Sequence, residues 1–205
     1  MKKALSLFSL LIVALFSFTA GFYFFFPRDA AAGFLWRRAV LAAADKGVNL
    51  ELASLSVEGY FPFRVVLRNL RVTSPIASME AGDVVVVPVA GATLFSFALV
   101  ADILGERASL VLPLPGRQPL FLASFASRVS FRPPLVSFSQ VETAGDLEIS
   151  GEARVDINRL MLDEADLSIR GEQAGVFESF RSFLPLTRDA SGGWTLKREG
   201  KSRES

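Results

Sequence analysis

From Ala4 to Phe26 the chain carries no charged side chain, and Lys2 and Lys3 stand just before the run. About 22 helical residues rising 1.5 Å each reach roughly 33 Å, enough to cross a hydrocarbon core of about 30 Å. The run therefore predicts a membrane span. A cleaved signal peptide is the rival reading, because basic residues, apolar core and the small Ala20 come in the right order. Cleavage after Ala20 would put Phe18 where a small residue is needed and leave Gly21 to Phe26 as an apolar new terminus, so a retained anchor is favoured. Lys2 and Lys3 precede the span and Arg28 is the nearest basic residue after it, which orients the N-terminus to the cytoplasm. The bulk of the chain of this single-pass protein then lies outside, in the periplasm on a bacterial inner membrane if the cell is Gram-negative, with Tyr23 and Trp36 as candidate interface residues.

The expected organisation is an anchor over 1–28, one mainly-β domain over 29–199 and a charged, frayed tail over 200–205. The chain has 22 basic and 21 acidic residues, and without Lys2 and Lys3 the exported part is left at net −1. Such balance offers no basic stripe for nucleic acid. Cysteine and histidine are both absent. That excludes disulfides, thiol catalysis and the histidine-based catalytic and metal sites, leaving Asp, Glu, Lys and Arg for any chemistry.

Asp29 to Lys46 reads as a short helix leaving the membrane, with Asp29 as N-cap, alanines to favour helix, and Gly47 as the stop. Phe34, Leu41 and Val48 recur every seven residues and are expected to pack on the domain, while Arg37 and Arg38 face water. The period then changes to two. Leu50 to Glu58 is an imperfect strand, and beyond Gly59, Tyr60, Phe61 and Pro62 a second strand alternates from Phe63 with a slip of phase near Asn69, as a bulge would produce. Further strands are expected at Asp83–Val89, Thr93–Val100, Arg107–Leu114, Leu135–Thr143, Asp146–Asp156 with an interruption at Gly151, Glu164–Arg170 and Trp194–Arg198. Leu120–Arg128 and Val176–Leu184 read as short closing helices, the first from Leu122, Phe125 and Ala126, the second from Phe177, Phe180 and Leu184. The predicted class is mainly β: a transmembrane helix and a short helix, then an antiparallel curved sheet or open groove. Neither a βαβ period nor a Gly-rich phosphate loop is present, and the strands lack the amphipathicity of a lipid-facing barrel.

Asp163, Glu164 and Asp166 form the densest carboxylate group, with Glu148 and Glu152 a second pair. Acid–base work or cation binding would need them to converge in a pocket, and their placement near turns favours solvated side chains. No GxSxG elbow is present, and no cofactor is expected. The sharper signal is apolar: strands with hydrophobic residues on both parities need a cover, a partner or an acyl-chain ligand on one face. Phe177, Phe180, Phe183 and Leu184 are the candidate contact residues for a partner or lipid, with core packing as the default.

The segment from Gly21 to Pro75, GFYFFFPRDAAAGFLWRRAVLAAADKGVNLELASLSVEGYFPFRVVLRNLRVTSP, resembles the start of type II secretion system protein N. The motif residues are Pro27 and Asp29, then Phe61, Pro62 and Phe63, then Leu67 and Asn69; Phe26, Ala30, Gly47, Leu50, Leu52, Leu55, Leu70 and Val72 follow the same pattern. Their roles are structural, Pro27 ending the span and Pro62 setting a rigid strand start. Short strands with Gly-led turns, as in GDLEISGEARVDI, are similar in character to AsmA-like periplasmic β-groove proteins. The resemblance implies a non-enzymatic accessory part of the machinery that exports folded proteins, a structural adaptor with other secretion-system proteins and the inner membrane as partners. The AsmA-like character implies the alternative, a lipid-binding or lipid-transport bridge between the membranes with phospholipid or lipopolysaccharide as ligand.

Overall fold

The alternation is realised as eleven antiparallel strands in one sheet. The structure, a computed structural model, describes Ser17 and residues 27–59, 63–75, 77–112, 118–159, 161–182, 184–190 and 192–200. The expected anchor, Phe61, Pro62, Phe183 and most of the C-terminal tail lie outside the described residues. Among those described, no helix is long and apolar enough to cross a membrane. The strands are β1 (Asn49–Glu51), β2 (Ser54–Glu58), β3 (Arg64–Ser74), β4 (Ala77–Pro88), β5 (Leu99–Val111), β6 (Leu120–Arg132), β7 (Leu135–Gly145), β8 (Glu148–Asp156), β9 (Met161–Arg170), β10 (Leu186–Arg188) and β11 (Trp194–Arg198). Strands β3 to β9 form a meander, β11 follows β9 with β10 at the far edge, and β1 and β2 share the outer side of β3.

Directly opposed residues share a face of an antiparallel sheet. One face gathers Leu67, Val84, Ala108, Leu122, Ala165, Ile169, Trp194, Leu196 and Leu186 into a continuous buried cluster. The other is mainly polar. A single row on that second face crosses nine strands, from Val66, Val85, Leu104 and Ala126 to Glu142, Ser150, Ser168, Thr195 and Thr187. It changes from apolar to polar between β6 and β7.

The expected slip at Asn69 is one point of a crease through four strands. Ladder pairing skips Asn69 and Gly82 between β3 and β4, then Gly82 and Arg107, then Arg107 and Ala123, with the register unchanged on either side. Asn69 and Arg107 take left-handed φ values of 51° and 53°. A residue so twisted shifts the side-chain parity by one, so Leu67 and Leu70 both reach the core cluster, as do Val84 and Ala81. Asn tolerates this conformation better than a β-branched residue does.

Leu120–Arg128, expected as a helix, is instead the first part of β6. Leu122 and Phe125 share the core face because the crease passes between them, and an i, i+3 spacing in a creased strand imitates a helical stripe. Phe125 lies over Gly105, its direct partner on β5, where any Cβ would collide with the ring. Thr93–Val100, expected as a strand, is instead a short helix at Ala90–Ser96 followed by the start of β5. Alternating Phe95, Phe97 and Leu99 suggested a strand, but the Val89 N–H pairs with the Val100 carbonyl at 2.9 Å and closes the hairpin below the helix. The Val100 N–H also donates to Thr93 Oγ1 at 3.1 Å. Phe97 ends the helix in the left-handed region.

The interruption expected at Gly151 is a twist rather than a break, since Gly151 stays paired with Val141 and Leu167. Its φ of 129° and the adjacent Asp166 carbonyl leave no room for a side chain. In place of a helix over Val176–Leu184, a 3-10 helix covers Ala174–Phe180, with Ala174 and Val176 buried.

The helix that follows the apolar segment of the sequence spans Arg28 to Ala44, and Gly47 beyond it takes the expected left-handed φ of 73°. Asp29 is not its N-cap; Pro27 holds that position, and the Asp29 carboxylate accepts the Val57 N–H of β2 at 2.9 Å. Arg28 donates to the Gly59 carbonyl at 2.7 Å. These two bonds clamp the start of the helix to the end of β2. The face turned inward carries Ala32, Trp36, Val40 and Ala43, whereas Phe34 and Leu41 are 53% and 66% exposed. The sevenfold spacing therefore marks the outer face, because the clamp at Asp29 fixes the rotation of the helix.

Replacing Asn69 by Val should cost about 1–2 kcal/mol in urea unfolding, while Asn69→Gly should stay within about 0.5 kcal/mol, because only the first opposes a left-handed φ. Gly151→Ala should cost at least about 2 kcal/mol, seen as a lowered Tm with far-UV circular dichroism unchanged at 25 °C.

Candidate interaction surface

The second face carries a concavity. It is an open cleft of about 810 Å³ over β4 to β7. Val85, Val87 and Leu104 supply its apolar floor, and Arg64, Asp83, Glu106 and Glu142 stand around them. Leu104 is 49% exposed although it lies mid-strand. The hydrophobic residues of this parity are thus not sealed by either short helix. Direct cross-strand placement explains the floor: Val85 opposes Leu104, and Leu104 opposes Ala126.

Two ion pairs cross strands of this part of the sheet. Arg128 donates to both oxygens of Asp102 at 2.7 and 3.1 Å, across the β5–β6 register. The hydrogen bond and the charge of Asp102 together raise the Arg128 pKa above its ordinary value. Arg107 approaches Asp83 at 3.9 Å. Exposed pairs of this kind contribute little to stability, and their effect is to fix which charges point outward. At the crease a smaller cavity of about 410 Å³ is lined by Asn69, Gly82 and Arg107 together with the paired Arg71 and Glu80, 2.7 Å apart.

Of the carboxylates singled out in the sequence, the register brings Glu152 and Asp166 opposite each other. Asp163 sits at a bulge of β9, where the pairing with β8 shifts. Glu164 is held by Arg154 at 2.8 Å, and Asp166 lies opposite Glu152 and Lys197. Glu148 opposes Arg170. Among the described residues no group of three or more acidic side chains could hold a metal ion.

Phe177, Phe180 and Leu184 pack against the core cluster, the two rings 6.0 Å apart and tilted. Of the motif residues, Leu67 is buried in the core, Asn69 makes the crease, Asp29 clamps the helix, Pro27 precedes it, and Phe63 is 38% exposed at the start of β3. Sequence reasoning expected an open groove but did not place the cleft. Its only signal was the apolar content of both parities, without the cross-strand register that brings Val85 and Leu104 together.

Leu104→Ser should change unfolding stability by less than about 1 kcal/mol, since the side chain is already half in water, whereas Leu122→Ala on the buried face should cost about 2–5 kcal/mol. Denaturant titration of the two variants compares the faces directly.

Neither the curated proteins nor the solved structures contain a match to this chain. One family profile does match, described as type II secretion system protein GspN-like, Synergistales, and it covers residues 5–198. The match runs from within the apolar segment to the last residue of β11. With nearly the whole chain so matched, the protein belongs to the GspN-like family of type II secretion system proteins.

Proposed function

We propose that this protein is a non-enzymatic structural adaptor of the type II secretion machinery, anchored in the inner membrane by Ala4–Phe26 with its sheet in the periplasm. The family match supplies the system, and other secretion proteins follow as partners. The observation that carries the adaptor reading is the cleft over β4 to β7, where an apolar floor is ringed by side chains of both signs. A polypeptide segment suits such a mixture, with apolar side chains on Val85 and Leu104 and polar groups meeting Asp83, Glu106 and Glu142. Edge extension is the weaker route, because the outer strand β10 has three residues and short edges resist pairing.

A lipid-carrying groove of AsmA-like character is the competing reading. The exposed Leu104 beside Val85 and Val87 favours it, and the carboxylates of Asp83, Glu106 and Glu142 around the same floor weigh against it. A photocrosslinking residue at Leu104 in the full-length protein, activated in native membranes, separates the two by mass spectrometry. The adaptor reading expects secretion-machinery peptides on Leu104, and Asp83→Arg combined with Glu142→Arg should reduce the crosslink severalfold. Recovery of phospholipid or lipopolysaccharide alone would overturn it.

A further inference from the structure

Five of the eleven large apolar side chains that are exposed among the described residues lie at one end of the sheet: Phe63, Phe95, Phe97, Leu99 and Met161. The meander puts them there, since β3, β5 and β9 start and β4 ends at this end. Phe95 and Phe97 are each 90% exposed, at the tip of the short helix joining β4 to β5. Around them the chain from Val84 to Ala101 contains no charged residue. A loop turned toward water has no need of such a stretch, and two nearly bare phenylalanines in it are costly there.

The same end receives the chain from its apolar run. Arg28 and Asp29, directly after Pro27, are bonded to Gly59 and Val57 at the end of β2. The exit point of Ala4–Phe26 and the Phe95/Phe97 tip are therefore held at the same end of one sheet. We infer that this tip is a second membrane contact, in which Phe95 and Phe97 enter the interfacial region of the bilayer that holds the anchor. The inference rests on the anchored reading of Ala4–Phe26. Aromatic rings suit the headgroup level, and Arg64 and Arg132, near the same strand ends, can reach phosphate from their aliphatic stems. Two contacts on one rigid sheet fix its tilt, so that the strands stand away from the membrane and the opposite end, with Gln118, points into the aqueous space.

The absence of native cysteine makes the test direct. Single variants Val13→Cys, Phe95→Cys and Gln118→Cys of the full-length protein are labelled with an environment-sensitive fluorophore. They are reconstituted into vesicles of phosphatidylethanolamine and phosphatidylglycerol that contain a spin-labelled lipid quencher. The expected result is loss of most emission at Val13 and Phe95 and little at Gln118, with unchanged β-sheet circular dichroism in all three. Quenching at Val13 with the Phe95 label no more quenched than Gln118 would overturn the tip contact and leave the anchor intact. Quenching at neither Val13 nor Phe95 would overturn both.

Discussion

One constraint governs the sheet: an antiparallel ladder many strands wide must keep a single apolar face while it twists, although strict alternation would carry its hydrophobic residues to both sides. The crease at Asn69, Gly82, Arg107 and Ala123 meets that constraint for β3 to β6. By shifting parity once in each strand it returns Leu70, Ala81, Ala108 and Leu122 to the side already occupied by Leu67, Val84, Ile103 and Phe125. Gly105 lets the Phe125 ring lie flat against the ladder beside it. Further along the sheet the register shifts between β6 and β7, between β7 and β8, and between β8 and β9.

The main buried cluster occupies one face, and the other keeps Leu104 half exposed. Its row of opposed residues is apolar over β3 to β6 and hydroxylic or acidic over β7 to β11, so the cleft lies where that row is apolar. The ends of the sheet differ as well. One carries the helix clamp with the exposed Phe63, Phe95 and Phe97, the other the turn in which Asp146 accepts the Phe121 N–H at 2.7 Å.

Much of the fold was legible in the chain. Trp194–Arg198 is strand β11 as expected, the helix ends by Gly47, and the phase slip near Asn69 is real. Two of the departures share a physical cause. Leu122 and Phe125 have helical spacing, yet the crease lets a strand hold both on one face. Phe95, Phe97 and Leu99 alternate like a strand, yet the Val89–Val100 pairing closes the hairpin and leaves the intervening residues to coil into a helix. Local pattern cannot distinguish these cases, because each is decided by the neighbouring strand.

The sequence by itself determined the mainly-β class, the period of most strands, the exclusion of thiol and histidine chemistry, and the family resemblance that the profile match supports. Those properties are written in composition and short-range alternation. Tertiary structure decided which parity is buried, that Asp29 serves β2 rather than its own helix, and that Val85 and Leu104 form the floor of a cleft. It also decided that Phe95 and Phe97 lie at the same end of the sheet as the helix start at Arg28. Each of these depends on register between segments far apart in the chain, and register is set by the packing of a whole face at once.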